Sequence, residues 1–158
     1  MEKGATGTKT VFSNTGRRRI NIIGALNALE LEMTTVISEA NCDKDLILLF
    51  LKELKEDNLD CEKIYLVMDN ASYNRAYDVV NKAKEYNVEL IHLPAYSPNL
   101  NIIERLWKFF KKKIMKNKYY QQFTEFEEKI DEFFKNIKKY EDELYSLLTL
   151  NFQILKAS

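Results

Sequence analysis

Residues 64–70 read IYLVMDN, and residues 93–107 read LPAYSPNLNIIERLW. The first stretch is an apolar run that ends on an acid, Asp69. With Lys63 it forms KIYLVM, which suits a strand covered on both faces in a parallel sheet. The second is a proline-bounded turn that opens a helix, with Glu104 in its first turn. The interval between the two acids is 34 residues, 70–103.

Outward from this pair, the pattern alternates. Upstream, Leu46, Leu49, Phe50 and Leu54 repeat on one face of a helix expected over Lys44–Asp57, capped by Asn41 or Asp43. Before it, RINIIGAL (19–26) and MTTVIS (33–38) read as strands of a hairpin turning at Asn27–Glu30. KTVFS (9–13) reads as a further short strand. Residues 1–8 read as a polar, poorly ordered terminus. Downstream, helices are expected over Asn74–Tyr86, Ile102–Lys116, Phe123–Ile137 and Glu141–Leu155, with a strand over Val88–Leu93. Strands first and strand–helix alternation afterwards predict a mixed α/β sheet with helices on both faces. Ligands of such sheets bind beyond the carboxyl ends of the parallel strands, where Asp69 stands.

At 158 residues the chain suits one compact domain, 1–158, with C-terminal helices over 123–158. Its 24 basic and 24 acidic residues cancel, so only their distribution can speak for nucleic acid. Two cysteines and a single histidine, His92, give no zinc spacing and suit a reducing compartment. The sequence has no run long enough to span a membrane and no signal-peptide core, so a cytoplasmic protein without membrane partners is expected.

Each acid has a bland reading. Asp69 could be a turn or cap residue. Asn101-Ile102-Ile103-Glu104 fits a capping box. Neither reading explains the stiff prelude Leu93-Pro94-Ala95-Tyr96-Ser97-Pro98, whose prolines fix the approach of the helix. Converging carboxylates on separate elements suit hard divalent cations, which take oxygen ligands and keep several waters. Two such ions can serve in-line phosphoryl displacement.

MDNASYN (68–74), LPAYSPNLNIIERLW (93–107) and GRRRINIIGALN (16–27) together resemble the DDE endonuclease domain of bacterial insertion-sequence transposases in the mariner superfamily. The resemblance spans about residues 3–135. It implies an RNase H-like fold, Mg²⁺ or Mn²⁺ as cofactor, and hydrolytic nicking of transposon ends followed by strand transfer. Asp69 and Glu104 take the places of the second and third metal ligands and are the candidate catalytic residues. Asn70, Tyr96, Ser97, Asn101, Arg105, Lys108, Lys111 and Lys112 are the candidate DNA contacts. The implied partners are transposon-end and target DNA, with a homodimer or a complementing upstream transposase fragment.

The sequence departs from the family in two places. Asn74 stands where relatives carry a histidine or similar polar residue. The first catalytic Asp, on the first strand, is absent. Glu2, Glu30 and Glu32 are no substitutes, lying in the tail or flanking the hairpin turn. The expectation is therefore an N-terminally truncated domain that lacks the central strand, leaves two exposed edges in the sheet and is inactive alone. The alternative is a non-enzymatic remnant or inhibitor that binds DNA or full-length transposase.

Residues 105–118, RLWKFFKKKIMKNK, hold seven basic residues interleaved with Trp107, Phe109 and Phe110. They read either as a solvated face over a core stripe or as a phosphate track continuing the Glu104 helix. Arg17–Arg19 could extend that track or simply flank a strand. His92 admits a base role, although metal-activated water needs no separate base.

Overall fold

The computed structural model describes residues 2–12, 18–97 and 100–148. Five strands form one sheet: β1 (Glu2–Phe12), β2 (Arg19–Asn27), β3 (Glu32–Ser38), β4 (Ile64–Met68) and β5 (Val88–His92). Their order is β3-β2-β1-β4-β5. The first three are antiparallel neighbours, and β4 runs parallel to both β1 and β5.

The expected gap at the centre of the sheet is not there. Glu2–Phe12 fills it, pairing with β2 from Gly4↔Asn27 to Phe12↔Arg19 and with β4 from Glu2↔Ile64 to Ala5↔Val67. The physical reason is backbone demand, since β2 and β4 would otherwise each leave a row of unpaired amides and carbonyls. The segment lacks apolar alternation and so reads as a polar tail. It is nonetheless rich in β-branched threonine, which the extended backbone favours. Residues 2–8 are therefore strand rather than loose terminus, and the sheet closes without a partner.

Helix α1 (Lys44–Asp57) begins at Asp43, whose Oδ1 accepts from the amides of Asp45 (3.0 Å) and Leu46 (3.1 Å). The helix expected over Asn74–Tyr86 divides into a 3₁₀ turn, Ser72–Arg75, and α2 (Tyr77–Glu85). The helix expected over Ile102–Lys116 is α3 (Ile103–Phe110) continued by a π turn, Lys111–Met115. Then follow α4 (Phe123–Lys135), a 3₁₀ turn (Ile137–Tyr140) and α5 (Glu141–Leu148). Ser13 and residues 149–155 of the expected elements lie outside the described residues.

β2 is buried on both faces, so its side chains feed two cores. Ile23 and Ala25 join Leu46, Phe50 and Leu54 of α1, Leu66 of β4 and Val79 of α2. Ile20, Ile22 and Leu26 join α3, α4 and α5 in a largely aromatic core. Trp107 lies edge-on to Phe110 and Phe134, while Phe110 stacks on Phe134 with centroids 5.0 Å apart. No described helix is long and apolar enough to cross a membrane.

Two glycines set the height of α3 above the sheet. Gly7 of β1 and Gly24 of β2 are register partners, and Trp107 covers both. A Cβ at Gly7 would stand 2.8 Å from Ile103 Cγ2 and 2.9 Å from Trp107 Nε1. One at Gly24 would stand 2.8 Å from Met33 Cε and 3.3 Å from Trp107 Cη2. Only a backbone bare of side chains admits the indole at this distance.

Candidate metal-dependent nuclease site

Asp69 follows the last residue of β4, where apolar alternation ends and the chain leaves the sheet. The backbone there is tied to β5 by Leu93 N–H donating to the Met68 carbonyl at 2.8 Å. Asp69 is exposed, and its Oδ1 accepts from Ala71 N (3.1 Å) and Asn74 Nδ2 (2.9 Å). The turn reading of Asp69 is thus correct for its Oδ1. Asn74 is buried and also faces the Asp69 carbonyl at 3.4 Å. His92 Nδ1 lies 3.4 Å from that same carbonyl. Asn74 is the residue that sequence reasoning undervalued. Its signal was the Asp-Asn-Ala-Ser-Tyr-Asn spacing, which puts a second amide within reach of the acid through one 3₁₀ turn.

Glu104 lies in the first turn of α3, half-buried. The capping box does not form. The N-cap position is Ile102 in helical conformation, and no side chain caps the helix. Asn101 is buried and contributes its carbonyl, which accepts from Glu104 N at 3.2 Å. Capping therefore does not account for Glu104.

Continuing the β1–β4 register two residues past Ala5↔Val67 sets Gly7 alongside Asp69. Gly7 is also where Ile103, the neighbour of Glu104, touches β1. No carboxylate occupies this point of β1, and among the described residues no three His, Cys, Asp or Glu cluster as a metal site. Glu2 pairs with Ile64 at the far end of β4, Glu32 pairs with Lys138 and Glu30 bonds Asn27, so none reaches Asp69. Two carboxylates suit a hard divalent ion that keeps several waters. The lysines beside Glu104 oppose such an ion: Lys111 has its pKa lowered by burial and by Lys9, and Glu104 offsets this only in part.

The remaining candidates fall into two groups. Asn70, Lys108 and Lys112 are exposed, Lys111 and Ser97 are half-buried, and Tyr96 is fully exposed. Tyr96 holds a left-handed backbone, φ 59°, which a bulky residue adopts only under constraint. Arg105, by contrast, turns inward, its Nη1 donating to the Leu147 carbonyl at 3.2 Å. Arg18 pairs with Glu39 and covers the Phe123 ring, and Arg19, the first residue of β2, bonds Asn41.

The model of the DDE superfamily endonuclease family matches residues 1–127. No curated protein matches the sequence. Among solved structures, the Mos1 transposase catalytic domain with Raltegravir and Mg superposes with a TM-score of 0.73 at 14% identity, over 93% of this chain and 78% of that one. The Mos1 strand transfer complex gives 0.73 at 13% identity, over 93% and 51%. The catalytic core of BIV integrase gives 0.54 at 12% identity, over 94% and 79%. The architecture is RNase H-like, that of mariner transposase catalytic domains, and the chain belongs to the DDE superfamily of endonucleases.

Proposed function

We propose that this chain acts on DNA as a transposase catalytic domain, with Asp69 and Glu104 as two carboxylate ligands of Mg²⁺ or Mn²⁺. This reading is supported by a strand-end acid, Asp69, directly after β4 and a helix-start acid, Glu104, whose neighbour Ile103 touches β1 at Gly7. Asp69 and Glu104 would hold such an ion, which would supply activation of water or a 3′-hydroxyl and stabilisation of the leaving oxygen of a phosphodiester. Asp69 holds its orientation through Ala71 and Asn74, so its geometry is ready before ligand arrives. Lys108 and Lys112 offer phosphate contacts, and the exposed Tyr96 ring offers a stacking face to an unpaired base. Arg105 instead braces α3 against α5.

The first carboxylate of the family has no counterpart beside Gly7 among the described residues. In this reading it comes from a complementing transposase polypeptide, and the chain alone does not cut. The same observation favours a second reading, a binding protein without catalysis that occupies DNA or full-length transposase. Calorimetric titration with Mn²⁺ tests the site: binding present in the wild type and lost in Asp69→Ala and Glu104→Ala supports it. Unchanged binding in both variants sinks it. Nicking of supercoiled plasmid, with and without an upstream transposase fragment, then separates the two readings.

A further inference from the structure

A second charged constellation lies next to the carboxylates, on β1 and the end of α3. Side chains alternate along a strand, so Gly7 and Lys9 share a face of β1. On a helix, residues four apart share a face, so Ile103, Trp107 and Lys111 follow one another along α3. Gly7 meets Ile103 and Trp107. One step further along both elements brings Lys9 towards Lys111, close enough for the Lys9 charge to lower the Lys111 pKa. Both side chains are half-buried. Two cations held this close repel each other unless an anion lies between them.

Among the described residues no anion is paired with either lysine. Glu104 is the acid whose field reaches Lys111. Lys108, Lys112 and Lys116 form no ion pair among the described residues. With Lys111 and Met115 they line an open concavity of about 490 Å³. The π turn sits beneath them, with Lys116 N–H donating to the Lys111 carbonyl at 3.0 Å. Such turns recur at functional sites. Lys113, on the other side of the same turn, is neutralised by Glu143 at 2.7 Å. The unpaired charge is therefore confined to the flank that continues from Glu104.

We infer that Lys9 and Lys111 clamp one phosphate of the DNA strand entering the carboxylate site, and that Lys108, Lys112 and Lys116 follow the next phosphates outward. The choice of DNA as ligand rests on the nuclease reading above, and the clamp extends that reading to β1. The phosphate neutralises the lysine pair, and with it the positive field that would otherwise oppose a metal at Glu104. Substrate binding and metal binding thereby support one another.

The test is DNA binding by the full chain in EDTA, followed by fluorescence anisotropy over a range of salt concentrations. Lys9→Gln and Lys111→Gln are each expected to weaken binding and to flatten the log–log salt dependence by up to about 0.9, the contribution of one phosphate. Lys9→Arg keeps both values. The double variant Lys9→Gln/Lys111→Gln is expected to fall short of the sum of the singles, because both lysines serve one phosphate. Additive losses, or a wild-type salt slope in Lys9→Gln, overturn the clamp. If Lys9→Gln does not fold, ¹³C-methylated lysines of the wild type provide the readout. Lys9 and Lys111 signals should then move together with DNA, and if only one moves the clamp is wrong. Equal movement with inorganic phosphate alone would overturn DNA as the ligand. Because no metal is present, these outcomes stand apart from the Mn²⁺ titration of Asp69→Ala and Glu104→Ala.

Discussion

Asp69 and Glu104 are mounted by opposite means. Asp69 is oriented by its own loop, through two hydrogen bonds to Oδ1 from residues two and five positions along the chain. Glu104 has no side-chain cap beside it; its place is set by a whole helix resting on Gly7 and Gly24 through Trp107. One acid is held by local polar geometry and the other by packing across the sheet. Damage near Asp69 should therefore alter the site with modest loss of stability. Damage to the seat of Glu104 should unfold the protein as it alters the site.

The largest expected effect is at that seat. Trp107 is 1% exposed and touches two aromatic neighbours edge-on. Trp107→Ala should cost about 3–5 kcal/mol in urea unfolding, the range for emptying an aromatic site in a core. Trp107→Phe should cost clearly less. It keeps much of the ring and removes an indole N–H that is buried with no acceptor among the described residues, a group that costs about 1–3 kcal/mol when unsatisfied. Equal costs for the two variants would mean that the ring kept by phenylalanine contributes nothing at this seat.

Next comes the glycine floor. Gly24→Val inserts a branched side chain where even a Cβ would stand 2.8 Å from Met33 Cε. Overpacking of this kind should cost about 1–3 kcal/mol. It should also weaken Mn²⁺ binding in whatever fraction stays folded, because α3 carries Glu104 away with it. A destabilised variant with wild-type metal binding would break the link between packing and the site.

For the Asp69 side, Asn74→Ala should cost only about 1 kcal/mol of stability. Its effect on metal affinity should be larger, about 10–100-fold, as for other residues that orient a ligand. Thermal unfolding and Mn²⁺ titration of the same variant measure both. A stability loss as large as that of Gly24→Val would erase the contrast between the two mounts.

How far the sequence discloses this arrangement differs between the two mounts. The apolar run before Asp69 and the stiff Leu93–Pro98 prelude to Glu104 mark both acids, because strand ends and helix starts have local signatures. The hairpin of β2 and β3 and the span of α1 are legible for the same reason. β1 is not. Its Gly7 suits a place under Trp107, and that fitness exists only once α3 is laid across it. The π turn is hidden likewise, since Lys111–Met115 has helical spacing and the widened ladder is a tertiary outcome. The capping box failed because its residues match a local pattern that the buried Asn101 does not follow.

The smallest effect tests whether α3 is held by its floor or by its far end. Lys113 Nζ pairs with Glu143 of α5 at 2.7 Å and lies 5.2 Å from the centroid of the Phe109 ring. The pair is partly solvent-exposed, so Lys113→Gln should cost less than about 1 kcal/mol, with the loss shrinking further at high salt. Mn²⁺ affinity should not change. The glycine floor is met by Ile103 and Trp107, which flank Glu104, whereas Lys113 lies more than two turns beyond that acid in sequence. If Lys113→Gln lowered metal affinity with stability intact, the tie between α3 and α5 would be steering Glu104. The seat on Gly7 and Gly24 would then be a consequence of that tie rather than its cause.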